Sequence, residues 1–168
     1  MKTSSAIALA SITLAATGAG LAFAAPNVID ATSINGATTD QTRAKYRAAF
    51  GTARTDQLEG GITRMVFDGS KTEVYLGKNK RGKVIVTGNS AYKTASGVGP
   101  CSSAADLKAA FPGLKAIPGT QGRAYKYGDL WFSVQYDVVH VVALVPKPPP
   151  TRATTFLMNS GVKCSPTP

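Results

Sequence analysis

The chain has 168 residues, a net charge of +10, nine acidic residues against 19 basic ones, two cysteines and one histidine. That length suits one ordinary domain or two very small ones. One histidine with two distant cysteines excludes a zinc centre on ligand count, and acids scattered singly offer no carboxylate pair for glycoside hydrolysis.

The chain opens with a leader. Lys2 precedes an apolar run from Ala6 to Phe23, and Ala22-Phe23-Ala24 sets small residues where a signal peptidase reads, so residues 1–24 read as a signal peptide. No later run reaches membrane length, and the mature protein is expected to be secreted, soluble and monomeric. In an oxidising compartment Cys101 and Cys164 have only each other to pair with. A bridge across that loop contributes about 4 kcal/mol on the chain-entropy argument.

Residues 25–89 form a first unit. Thr38-Thr39-Asp40 offers oxygens to a first helical turn, Tyr46, Ala49 and Phe50 make an apolar stripe at i, i+3 and i+4, and Gly51 stops it. A polar loop runs to Gly61. Strands follow at 63–67, 72–76 and 83–87, separated by Asp68-Gly69 and by the basic turn 77–82.

Residues 90–145 repeat the plan. Ser103 and Asp106 have capping-box spacing, Ala104, Leu107 and Phe111 share a face, and Pro112-Gly113 ends the helix. Three strands are predicted at 124–127, 130–134 and 138–145. Ala48-Ala49-Phe50 aligns with Ala109-Ala110-Phe111, which places Tyr46 over Leu107 and points to an internal repeat. Residues 146–168 form a tail: a Pro-rich connector to Pro150, then Phe156-Leu157-Met158 as an edge strand or a return over the core. The fold class expected is α+β, two tandem helix-plus-antiparallel-meander units in one compact domain.

Gly99-Pro100-Cys101-Ser102, Leu107 to Phe111, the Tyr-x-Tyr-Gly hairpin and the terminal cysteine resemble small secreted actinobacterial proteins of uncharacterised function, over about residues 90–164. The doubled plan is similar in architecture to beta-lactamase inhibitor proteins and to the outer-membrane assembly lipoprotein fold. In those inhibitors each half carries its own disulfide, whereas the first half here has no cysteine. No inhibitory residue carries over by position.

Catalytic motifs are missing: no Gly-x-Ser-x-Gly elbow, phosphate loop or His-Glu-x-x-His helix occurs, so no catalytic residue, metal or cofactor is assigned. Period-two alternation sets Leu130, Phe132 and Val134 on one face and Trp131 on the other, and likewise separates Thr72, Val74 and Leu76 from Glu73 and Tyr75. If helices cover one side only, Trp131, Tyr75, Lys126 and His140 share an open binding face. The alternative is that the C-terminal tail covers Trp131. Lys78, Lys80, Arg81 and Lys83 form the densest basic run, either a polyanion contact or a solvated hairpin tip.

The expected function is non-catalytic binding of an extracellular protein or acidic wall polymer through the exposed sheet face, with no specific nucleic acid. Two other readings stand beside it: a small hydrolase using His140, and a structural envelope protein without a discrete ligand.

Overall fold

Short alternating runs bounded by turns give eight strands and three helices in the computed structural model, which describes residues 28–164. The segment read as a signal peptide lies outside those residues. Helix α1 (Arg43–Phe50) buries Tyr46 and Phe50, and Gly51 ends it at φ 93°, a value that favours glycine. Helix α2 (Ala104–Ala110) starts with the expected box. The Asp106 N–H donates to the Ser103 hydroxyl at 3.0 Å, and that hydroxyl donates to the Asp106 carboxylate at 2.7 Å.

Helices α1 and α2 are each followed by four antiparallel strands. After α1 come β1 (Arg54–Leu58), β2 (Ile62–Phe67), β3 (Thr72–Leu76) and β4 (Gly82–Thr87). After α2 come β5 (Lys115–Ala116), β6 (Ala124–Tyr127), β7 (Leu130–Gln135) and β8 (Val138–Leu144). The expected meanders had three strands each, so β1 and β5 are additions. Neither carries an apolar alternation; β1 is held by its backbone pairing and by Arg64 of β2 against Asp56 at 2.6 Å. All eight strands form one sheet in the order β1-β2-β3-β4-β8-β7-β6-β5, so the last strands of the two halves meet at its centre. An α+β fold results.

Cross-strand partners share a face, and the register can be followed across the whole sheet. One row runs Met65, Val74, Ile85, Leu144, Leu130. With Phe67 and Phe132 it forms the first face, packed under Tyr46, Phe50 and Leu107 of the helices and under Ile29 and Ile34 of the lead-in. Gly82 matters here because a Cβ would collide with the Tyr46 hydroxyl. That hydroxyl donates to the Thr38 carbonyl at 2.8 Å. Burial pushes the Tyr46 phenol up to about 12.

The opposite row runs Val66, Glu73, Val86, Ala143, Trp131, Lys126. This second face is not open. After the Pro-rich connector the chain turns back as helix α3 (Ala153–Met158) and lays Ala153, Phe156 and Leu157 on it, over β4, β7 and β8. Of the two fates considered for Phe156-Leu157-Met158, the return over the core is the one adopted, as a helix. Burying two side chains of that size stabilises by roughly 3–6 kcal/mol before ordering costs.

The Cys101–Cys164 disulfide is formed, with the Cα atoms 5.4 Å apart. It joins the entry of α2, on the first face, to the end of the segment that covers the second. Both cysteine N–H groups donate to β8, Cys101 to the Val139 carbonyl and Cys164 to the His140 carbonyl, at 2.8 Å each. Among the described residues no helix is long and apolar enough to cross a membrane.

Candidate functional site

The proposed binding face brings together three of the four residues expected of it and then buries two of them. Tyr75, Trp131 and Lys126 lie on the same side of the sheet, as alternation requires. Tyr75 is only 3% exposed and Trp131 7%, however, because α3 covers them. The Tyr75 and Phe156 rings stack 4.1 Å apart, tilted by 12°. These two aromatics belong to the core beneath α3 and do not stand on an open sheet face. Lys126, beside Trp131 towards the sheet edge, is half-buried, and so is His140.

Beneath the covering segment lies a polar cluster that alternation could not announce. Glu73 is 1% exposed and would be costly to bury alone. Its carboxylate accepts from the Tyr75 hydroxyl at 2.7 Å, the Ser160 hydroxyl at 2.9 Å and the Gly161 N–H at 3.2 Å, with the Arg64 guanidinium 3.5 Å away. Burial, reinforced by the hydrogen bond to Glu73, pushes the Tyr75 phenol well above its ordinary value. Arg64 in turn holds the Asp56 carboxyl below the usual range through their hydrogen bond. The cluster fastens the chain end to β3 and does no visible chemistry.

His140 has no such setting. Its Nδ1 is buried without a hydrogen-bond partner, and none of the five cavities described is lined by it. Among the described residues no serine or carboxylate hydrogen-bonds its ring. The base–nucleophile contact a hydrolase would need is therefore not formed there.

What the structure leaves exposed is one edge of the sheet. The registers Thr63↔Leu76 and Leu130↔Leu144 set the β1–β2 connection, the β3–β4 turn, the end of β8 and the β6–β7 turn along the same border. Lys78, Lys80, Arg81 and Lys83 sit there as expected. Lys78-Asn79-Lys80 make a three-residue loop with Lys80 left-handed at φ 60°, a position that usually takes glycine. The Arg81 guanidinium donates to the Asp40 carbonyl at 3.0 Å, which holds it against the lead-in to α1. The covering segment adds Lys147 and Arg152 to this border, each facing one acid: Asp129 at 3.3 Å and Glu59 at 3.4 Å. Among the described residues the four cations of the turn have no ion-pair partner within 4 Å.

Lys147 and Arg152 were not foreseen as site residues. Their placement depends on where the Pro-rich connector turns, and nothing local encodes that. Tyr136 carries no sequence signal beyond its place between two strands. It stands 93% exposed at the β7–β8 tip, where Tyr136 and Asp137 both take left-handed φ, 50° and 59°. Such values cost non-glycine residues roughly 1 kcal/mol each. Asp137 is braced there because its carbonyl accepts from the Ala104 N–H of α2 at 2.7 Å.

Comparison with protein-family models, with curated proteins and with solved structures finds no match for this chain.

Proposed function

We propose that this chain is a secreted, non-catalytic binding protein for an acidic extracellular partner, and that recognition runs along the basic edge of the sheet. One observation carries the reading: Lys78, Lys80, Arg81 and Lys83 converge with Lys147 and Arg152, from a segment some seventy residues away, while among the described residues only the last two face a carboxylate. A row of unneutralised cations raises the local concentration of anions and steers their approach. Secretion is supported by the leader-like start of the sequence and by the disulfide. The same reading takes the two halves as copies of one unit, since each runs helix then four antiparallel strands.

The test is binding to soluble polyglycerol phosphate, an acidic polymer of the wall type, followed across ionic strength. Binding should weaken steeply with salt, and the double variant Lys80→Glu/Arg81→Glu should lose affinity by about tenfold. Lys115→Glu, on β5 at the far end of the sheet, should change little. Equal losses from both variants, or an affinity insensitive to salt, would reject the edge as the binding surface.

A second reading, a protein partner, is favoured by Tyr136. An aromatic ring held out on a braced hairpin is the kind of group that fills a partner's pocket at low entropic cost. Tyr136→Ala should then abolish capture of that partner and leave polymer binding intact.

A further inference from the structure

The basic edge contains a cavity that the charged turn alone does not explain. It encloses about 360 Å³ between the β1–β2 connection, the β3–β4 turn and the start of α3. Its floor is apolar, made by Ile62 and the stacked rings of Tyr75 and Phe156. Its rim carries Lys78, Lys83 and Arg152. The part of this wall made by Pro150, Thr151, Arg152 and Phe156 exists only because the C-terminal segment folds back.

The two lysines are placed by their neighbours. A Cβ on Gly61 would lie 3.3 Å from Cγ of Lys78, and a Cβ on Gly77 would lie 3.0 Å from Cε of Lys83. Glycines at both positions therefore let the two lysine stems lie flat along the mouth, with the ammonium groups at the rim and their methylenes adding to the apolar wall. Neither ammonium has an ion-pair partner within 4 Å among the described residues. Arg152 differs: the Glu59 carboxylate rests against it at 3.4 Å, with Glu59 89% exposed. An exposed pair of this kind is weak, and Glu59 can leave it at little cost.

We infer that this cavity is a binding site for a small apolar carboxylic acid, one whose aromatic or branched body sits on the Tyr75–Phe156 floor while its carboxylate replaces Glu59 at Arg152 between Lys78 and Lys83. The volume falls at the low end of small-ligand pockets, which limits the body to about one ring. The planar guanidinium fork matches a carboxylate, and the two lysines add point charges without imposing geometry. Displacing Glu59 exchanges one carboxylate for another at Arg152, so the net gain comes from the lysines and from the buried ring.

The inference rests on the basic edge being a binding surface, but it uses Lys78, Lys83 and Arg152 with an apolar floor, not Lys80 and Arg81. The experiment is a titration of the oxidised protein, followed by amide chemical shifts, with 3-phenylpropionate, its neutral amide and acetate. The acid should saturate with a Kd of about 1 mM or below, the amide should bind at least tenfold more weakly, and acetate should not saturate. Shifts should centre on residues 60–62, 75–78 and 150–156. Lys83→Met and Lys78→Met should each weaken the acid about threefold to tenfold without moving the melting temperature of the free protein, and Lys80→Glu/Arg81→Glu should weaken it less than either.

Equal affinity for acid and amide, shifts centred on another cavity, or no saturation by the acid would overturn the assignment. Failure here together with salt-dependent polymer binding would remove the cavity site alone. Acid binding without polymer binding would remove the edge reading and leave the cavity.

Discussion

The two faces of the sheet are closed by different means. On the first, α1 and α2 lie beside the strands they precede and supply Tyr46, Phe50 and Leu107 to a core of ordinary apolar contacts. On the second, the cover comes from the far end of the chain, crosses a Pro-rich connector, and is fastened at three points: the Tyr75–Phe156 stack, the buried Glu73 and the Cys164 bridge. A face covered by its own neighbours needs little more than hydrophobic spacing. A face covered by a distant segment needs specific fasteners, because the entropy of ordering that segment must be offset locally.

Removing the fasteners one at a time should show this asymmetry, and the disulfide is the strongest of them. Cys101→Ser/Cys164→Ser is expected to lower stability by about 4 kcal/mol, measured by urea denaturation. Trp131 is the chain's only tryptophan and lies beneath α3, so its emission should shift to the red before the first face unfolds. A single coincident transition by tryptophan emission and far-ultraviolet dichroism would show that the two faces are not separable.

Glu73→Ala comes next. It leaves the Ser160 hydroxyl, the Gly161 N–H and the Arg64 guanidinium without their shared acceptor, and should cost about 3 kcal/mol, with faster amide exchange confined at first to residues 153–162. Exchange rising equally in α1 and α2 would contradict the division between the faces.

Alkaline pH probes both faces through one tyrosine each. Unfolded tyrosines release their protons from about pH 10, whereas Tyr46 holds its proton to about 12 and Tyr75 is also raised. The unfolded state therefore binds fewer protons in that window, and stability falls as pH rises through it. The melting temperature should drop between pH 10 and 12, and Tyr46→Phe and Tyr75→Phe should each make that drop shallower. The smallest effect belongs to the first face. Ser103→Ala removes the α2 cap and should cost about 1 kcal/mol in thermal melts, leaving Trp131 emission unchanged.

Sequence alone carried the first face well. The Tyr46, Ala49, Phe50 stripe, the Ser103 box and the alternation of Leu130 to Val134 are local signals, and each element formed with the side chains facing as read. β1 escaped because Arg54-Thr55-Asp56-Gln57 looks like a loop; its reason to be a strand is the backbone of β2 beside it and the Arg64–Asp56 contact. For the second face the sequence leaves two readings standing, an open face and one covered by the C-terminal tail, because the closure joins Glu73 to Ser160 and Gly161 and no periodicity spans that separation. A lone glutamate in the run Thr72-Glu73-Val74-Tyr75-Leu76, every residue of which is buried, needs partners from elsewhere. The basic turn was legible as charge, but the cavity beside it was not, since residues 60–62, 75–83 and 150–156 meet only in three dimensions.

The seam between β4 and β8 sets the order in which this molecule can come into being. Within each half the strands follow one another through short turns, so their pairing closes small loops. At the centre, Ile85 must find Leu144 and Thr87 must find Val142, through a short ladder with the entire second half between them. Contacts of such separation are entropically late. The halves can therefore assemble as hairpins on their own, while the middle of the finished sheet is among the last parts to exist. Until it closes, β4 and β8 are both bare edges, rich in valine and free to pair with another chain.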